Sequence, residues 1–225
     1  WVLKQGRATG LEHLVVLAKD GTPLSIDKGR VNAVSPTSAV WRAGNHGEAW
    51  VSIHNHPSSN GLSGGDLTMA SIWPGHTMVV LGHNGDRHQV TATQGLDRAA
   101  AYRTAANPDE WFMAARDAFS RRIWSTRQFA ASRASTKGEA GQGGFERFEV
   151  ATRPLFQLVL DDLGLITYDG RQEWLAKFEA QGFDYGAIYG QVSGPIADRL
   201  GRAGWVIPAG RDQAGNRPTG GDAKA

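Results

Sequence analysis

The run Val51-Ser52-Ile53-His54-Asn55-His56-Pro57 constrains this chain more than any other stretch. It reads as a buried strand that ends in two histidines, with Pro57 stopping it. Residues two apart on an extended strand point the same way, so His54 and His56 share a face. A turn-forming loop over 57–61 follows, and Ser63-Gly64-Gly65-Asp66 then opens a helix. Ser63 as N-cap with Asp66 in the first turn is a variant capping box, and capping alone would account for both residues. The capped start also carries Asp66 back toward the strand end, where two imidazoles and a carboxylate can converge. Such a set suits zinc, which takes nitrogen and oxygen ligands and keeps a fourth position open for water when the site is catalytic.

Glu12 stands at the start of an apolar strand, Leu11-Glu12-His13-Leu14-Val15-Val16-Leu17. Alone it is a strand-edge charge. Beside a metal-activated water, a glutamate can take a proton and deliver it to a leaving amine. The constellation Glu12…His54-x-His56…Ser63-x-x-Asp66 resembles the motif of the JAMM (JAB/MPN) metallopeptidases. The run His54-Asn55-His56-Pro57-Ser58 is most similar to the RadC-type and phage-encoded bacterial branches of that superfamily. The resemblance spans roughly residues 10–95. It implies that His54, His56 and Asp66 hold zinc, that Glu12 is the general acid/base, and that Ser63 helps to stabilise an oxyanion. The segment between His56 and Ser63 is one residue shorter than is common in the family, a change that loops absorb well.

The activity implied is hydrolysis of an amide bond in a peptide or isopeptide substrate, on a ubiquitin-like protein or on peptidoglycan. Two other readings stand beside it. One is a phage virion or head-assembly protein that carries a JAMM-like module. The other is a RadC-like DNA-processing factor.

Composition bounds these readings. With 24 basic and 22 acidic residues, there is no global electrostatic case for nucleic acid. Cysteine is absent, so a metal must be held by histidine and carboxylate. The hydrophobic fraction of 40% is enough for a core, and no apolar run reaches the length of a membrane span. The expected setting is cytoplasmic, or virion-associated for a phage-encoded chain. Trp1-Val2-Leu3-Lys4 does not read as a signal peptide and lacks an initiator Met, so a fragment or a processed product is expected.

The expected fold class is α/β (α+β): a mixed sheet with flanking helices of JAB/MPN type, followed by a mostly helical C-terminal region. Residues 1–9 give no clear assignment. Strands are predicted over 11–18, 23–26, 31–34, 48–54, 77–81 and 87–93, with hairpin signals at Asp20-Gly21 and Asn84-Gly85. Helices are predicted over 36–43, with Ser35 as cap and Pro36 at the first position, and over 66–73. Further helices fall at 96–105, 109–134, 145–163, 171–181 and 195–202, and short strands at 165–168 and 205–207.

The segments divide as a metal-binding domain over 1–105, expected to fold alone, and a connecting helix over 106–134. A flexible linker over 135–144, a C-terminal region over 145–210 and a disordered tail over 211–225 follow. Along the connecting helix, Phe112, Phe119 and Ile123 fall at helical spacing. Arg121, Arg122, Arg127, Arg133 and Lys137 read as a solvated basic face, with Trp124 and Phe129 among them as the argument for a nucleic-acid surface. His13, His46, His76, His83 and His88 receive no role, although His83 ends a strand and is placed near the mouth of the site.

Overall fold

A computed structural model of the chain describes residues 1–58, 61–73, 75–92, 109–124, 142–180 and 182–202. In chain order it contains helix α1 (Val2–Thr9), strands β1 (His13–Ala18) and β2 (Pro23–Lys28), helix α2 (Ser38–Asn45), strand β3 (Ala49–His56), helix α3 (Gly64–Ile72), and strands β4 (Thr77–Gly82) and β5 (Arg87–Ala92). Helices α4 (Asp109–Trp124) and α5 (Gln142–Asp162), strand β6 (Ile166–Asp169), and helices α6 (Arg171–Ala180) and α7 (Tyr185–Arg202) follow. The strands form one six-stranded sheet in the order β2-β1-β3-β4-β5-β6. The β3–β4 pair is parallel and the other pairs are antiparallel, so α3 is the crossover that a parallel pair requires. The mixed α/β class is the one the strand and helix patterns predict.

The register places the histidine strand at the centre. Leu14, His54, Val80 and His88 lie directly across from one another on four successive strands, and Ser52, Met78, Val90 and Tyr168 form the row beside them. Residues paired across strands share a face. His54 and His56 therefore sit on the face whose apolar members, Met78, Val80 and Val90, enter the large core. That core also takes Leu62 and Leu67 from the α3 region, Ala115, Phe119 and Ile123 from α4, and Leu155 to Leu160 positions from α5. A second, smaller cluster joins Leu14 and Val16 to Val40 and Ala43 of α2 and to Trp73 after α3. Gly44 lets α2 approach closely, since a Cβ there would overlap the Trp73 indole.

Several local expectations shift. Residues 2–9, left unassigned from sequence, form a helix closed by Gly10 at φ 70°. Residues 31–34 are not a strand; Arg30 N donates to Ala33 O and closes a turn there. The helix expected over 36–43 begins later, because Thr37 rather than Ser35 caps it, its side chain accepting from Val40 N. Helix α5 starts at Gln142, within the stretch predicted as linker. Helix α7 starts at Tyr185 and runs through Pro195, where a helix was predicted to begin. The predicted helix over 96–105, the strand over 205–207, residues 125–134 of the connecting helix, residues 135–141 of the linker and the tail lie outside the described residues, as does the side chain of Phe112.

The C-terminal segment adds to the same sheet and core. β6 pairs antiparallel with β5, Tyr168 opposite Val90. Helix α5 is enclosed on all sides over 154–161, polar Gln157 and Asp161 included, where an amphipathic helix with one apolar face was predicted. Arg171 anchors the turn after β6 by bridging Asp161 at 3.2 Å and Asp162 at 2.9 Å. Among the described residues no helix is long and apolar enough to cross a membrane.

Candidate metal centre

His54 and His56 lie at the C-terminal end of β3, His54 paired with Leu14 and Val80 and His56 with Gly82. Both rings are buried. Their Nε2 atoms are 3.0 Å apart, with the ring planes inclined at 65°. Two imidazole nitrogens at that separation share at most one proton, so the pair presents a lone pair to a common point unless a proton or cation fills it.

Asp66 reaches this pair from the first turn of α3. Its Oδ1 is 3.1 Å from His54 Nε2, and its Oδ2 is 3.5 Å from His56 Nε2. The capping box predicted from Ser63 and Asp66 is present: Ser63 Oγ accepts from Asp66 N at 3.2 Å, and Asp66 Oδ2 accepts from Ser63 N at 2.7 Å. The Ser63 hydroxyl also donates to Asp66 Oδ2 at 2.7 Å. Capping and convergence are thus compatible. Oδ2 holds the helix start, and Oδ1 is left to face His54. In this arrangement the single Ser63 hydroxyl proton is engaged by Asp66.

Glu12 enters from the other side. It precedes β1 by one residue, and its backbone pairs with the extension of β2, Glu12 N donating to Arg30 O at 2.7 Å and Gly29 N donating to Glu12 O at 2.8 Å. Its carboxylate is buried, with Oε1 3.9 Å from His56 Nε2. Glu12, His54 and His56 form a buried group whose ligand atoms all lie within 4.8 Å of one another and could hold a metal ion. Asp66 flanks that group through both histidines. All five residues expected from sequence are therefore brought together, Glu12 and Asp66 around the His54–His56 pair and Ser63 behind Asp66.

The electrostatics fit a cation. Burial raises the Glu12 carboxyl to about 7, the Asp66 charge adding to the rise and His54 opposing it. Burial alone would depress His54, but the Asp66 and Glu12 carboxylates outweigh it and raise its pKa. Asp66 is likewise penalised by burial, yet His54, His56 and the Ser63 amide hold it well below the usual carboxylate range. Among the described residues no lysine or arginine pairs with Glu12 or Asp66. Two carboxylates and two imidazoles in one buried cluster carry an unbalanced negative charge when the histidines are neutral. Buried charges persist when paired or when they coordinate metal, and this donor set of nitrogen and carboxylate oxygen is one that zinc takes.

Three further residues, given no role from sequence, lie around the site. Asn55, between the two histidines, faces the opposite side of the sheet and hydrogen-bonds to the chain on both sides of Glu12. Gln157 of α5 donates to Leu62 O at 3.3 Å, one residue before Ser63. His88 lies in the His54 row, its Nδ1 2.9 Å from the Tyr168 hydroxyl and its ring stacked on Trp174. The signal for Asn55 was available, since asparagine is disfavoured inside strands and needs a local reason there. His76 is explained by structure alone. Its Nδ1 faces Ala49 O at 3.3 Å and its Nε2 faces the Ser52 hydroxyl at 2.9 Å, and burial depresses its pKa to about 4, so it is a neutral core histidine. His83 binds Asn55, on the sheet face away from the imidazole pair.

Comparison of the chain with protein-family models, with curated proteins and with solved structures finds no match. What is established is a mixed α/β protein with a buried glutamate–histidine group able to hold a metal ion.

Proposed function

We propose that the chain is a zinc-dependent hydrolase of amide bonds, a JAMM-type metallopeptidase or isopeptidase. The observation that carries this reading is the buried Glu12 carboxylate beside an imidazole pair that a second carboxylate completes. His54, His56 and Asp66 are the proposed ligands. Zinc bound there supplies a Lewis acid for the substrate carbonyl and an acidified water.

The chain's own residues do the rest. Glu12, buried beside His56 with its carboxyl raised to about 7 in the metal-free chain, is placed to accept a proton from an acidified water and return it to a leaving nitrogen. Ser63 fixes Asp66 through its amide and hydroxyl. A role for that hydroxyl at an oxyanion requires it to turn from Asp66 toward the substrate. Asp66 keeps 13% side-chain exposure against 5% for His54, 7% for His56 and 8% for Glu12, so the start of α3 is the least covered side of the cluster.

The test is hydrolysis by the zinc-loaded chain of three substrate sets: isopeptide-linked ubiquitin-like conjugates, linear peptides and peptidoglycan crosslinks. Cleavage in one set, abolished by chelation and restored by zinc, is the expected result. A chain that binds zinc and cleaves none of them would defeat the hydrolase reading.

A further inference from the structure

The last rung of the β1–β3 ladder is the pair Leu14 and His54. The next position, Asn55, does not continue it with its backbone. Its side chain does so instead. Asn55 Oδ1 accepts from His13 N at 2.8 Å, and Asn55 Nδ2 donates to Leu11 O at 3.0 Å. In an extended chain, Leu11 O and His13 N point to one side while the N–H and C=O of Glu12 point to the other. The other side is held by Gly29 and Arg30. Both peptide groups that set the backbone at Glu12 are therefore bonded, on one side by Gly29 and Arg30 just after β2 and on the other by a single carboxamide.

A carboxamide is suited to this task because it offers a donor and an acceptor in one plane, as a peptide group does. Asn55 is fully buried. Its Nδ2 also lies 3.0 Å from His83 Nε2, at the turn after β4, and Arg7 of α1 donates to His83 O at 2.6 Å. Helix α1 packs directly over it: a Cβ on Gly6 would overlap the Asn55 carboxamide. Asn55 is thus held in orientation from three sides, while its two sequence neighbours present their rings to the opposite face.

We propose that Asn55 is a positioning residue for Glu12, its carboxamide standing in for a peptide group of β3 and so aiming at the His54–His56 pair the carboxylate that the Val34 backbone also contacts. The proposal rests on the reading of Glu12 as the proton carrier of a metal site. The carboxamide touches neither substrate nor metal and acts only through the backbone on either side of residue 12. An asparagine between two metal-site histidines does two jobs in one strand, since alternate side chains of a strand serve opposite faces.

The experiment uses the full chain, as wild type, Asn55→Ala, Asn55→Ser, Glu12→Gln and the Glu12→Gln, Asn55→Ala double variant. In the metal-free protein, NMR is expected to show a nuclear Overhauser contact between the Glu12 side chain and the His56 ring. Asn55→Ala or Asn55→Ser removes that contact and speeds exchange of the His13 amide at least about tenfold, while Val16 exchange is unchanged. In the Co2+-loaded protein, either Asn55 variant shifts the visible bands as Glu12→Gln does, and the double variant adds nothing further. Persistence of the Glu12–His56 contact in a folded Asn55 variant would overturn the proposal, whatever the exchange rate at His13. Additive spectral shifts would do the same. If wild type takes up no Co2+, the metal reading falls by itself, and the metal-free NMR comparison still decides the role of Asn55. The serine variant retains a polar group, and it carries the comparison should alanine unfold the chain.

Discussion

Asp66 Oδ1 lies 3.1 Å from His54 Nε2, and the same carboxylate is the acceptor of a helix cap. Oδ2 takes the Ser63 amide, so forming the first turn of α3 delivers Oδ1 to the end of β3. The helix cap and the site therefore share one carboxylate. The cap also supplies charge-assisted hydrogen bonds that hold the carboxylate ionised, which a metal ligand requires.

The first expectation concerns metal content. The purified chain takes up about one zinc per molecule through His54, His56 and Asp66. The His54→Ala, His56→Ala double variant loses it by elemental analysis. Equal zinc in both proteins would show that the imidazole pair is not the site.

Glu12→Gln separates ligand from base. The isosteric amide keeps the contact volume but cannot take a proton. Zinc content stays at the wild-type level and turnover falls roughly a hundredfold or more. Loss of zinc in this variant would instead make Glu12 a ligand, in keeping with its place in the buried three-residue group.

The contribution of Glu12 to the stability of the metal-free chain falls as pH rises across neutrality. Glu12 has a folded pKa near 7, raised from 4.5 by burial, so between those values the folded state binds more protons than the unfolded one. The stability linked to that proton is complete below 4.5 and is lost as pH passes 7. His54, also raised, loses its contribution in the same direction as it deprotonates. Asp66 is lowered, so its contribution is constant in this window and is lost only in acid. His76 and His88, lowered by burial to about 4, act in the opposite sense over this range, so the Glu12 contribution is read against Glu12→Gln: from pH 5.5 to 8 the chelated wild type is expected to lose Tm relative to that variant. Added zinc raises the Tm more at pH 8 than at 5.5, because it binds the deprotonated ligands. A metal-free Tm difference between wild type and Glu12→Gln that is the same at 5.5 and 8 contradicts the assignment.

Gly6→Ala tests the packing of α1. Its new methyl group overlaps the Asn55 carboxamide, whose hydrogen bonds prevent it from moving aside. Overpacking of this kind costs about 1–3 kcal/mol, read as a fall in the denaturation midpoint at unchanged m-value. A variant as stable as wild type would mean that α1 lifts from the sheet without loss.

Truncation at residue 105 separates the site residues from much of their core. The fragment keeps every proposed ligand but leaves Val80 and Val90 without Leu155, Leu158, Ile166 and their neighbours, and leaves the β5 edge without β6. An exposed apolar face with an unpaired edge favours association. Light scattering is expected to show the 1–105 fragment aggregating while the full chain stays dispersed. A dispersed fragment with a cooperative melt would show that the N-terminal segment folds alone, as its strand pattern suggested.

Much of the candidate site was legible in the sequence because its geometry is local. His54 and His56 share a face by strand period alone, and Ser63 with Asp66 forms a cap by spacing alone. The fold class followed from similar short-range patterns: period-two strands, Asp-Gly and Asn-Gly turns, and apolar residues at i and i+4 such as Ala115, Phe119 and Ile123. Local rules failed where competing signals were equally local. Ser35-Pro36 and Thr37 are both acceptable helix starts, and packing of Val40 and Ala43 under Trp73 accompanies the later one. Val31 and Val34 do not join the sheet; Gly29 and Arg30 before them pair with the backbone of Glu12, and a turn closes from Arg30 to Ala33.

Only the tertiary structure decided the rest, because the contacts join residues that no periodicity links. Asn55 meets His13 across 42 positions, and Gln157 meets Leu62 across 95. The side of the sheet that α1 covers, the docking of β6 on β5 and the enclosure of α5 depend on which surfaces meet once the chain has collapsed. Burial then altered the chemistry as well. A strand-edge glutamate with an ordinary carboxyl became a group titrating near 7, a change that follows from the desolvation of Glu12 and not from its neighbours in the chain.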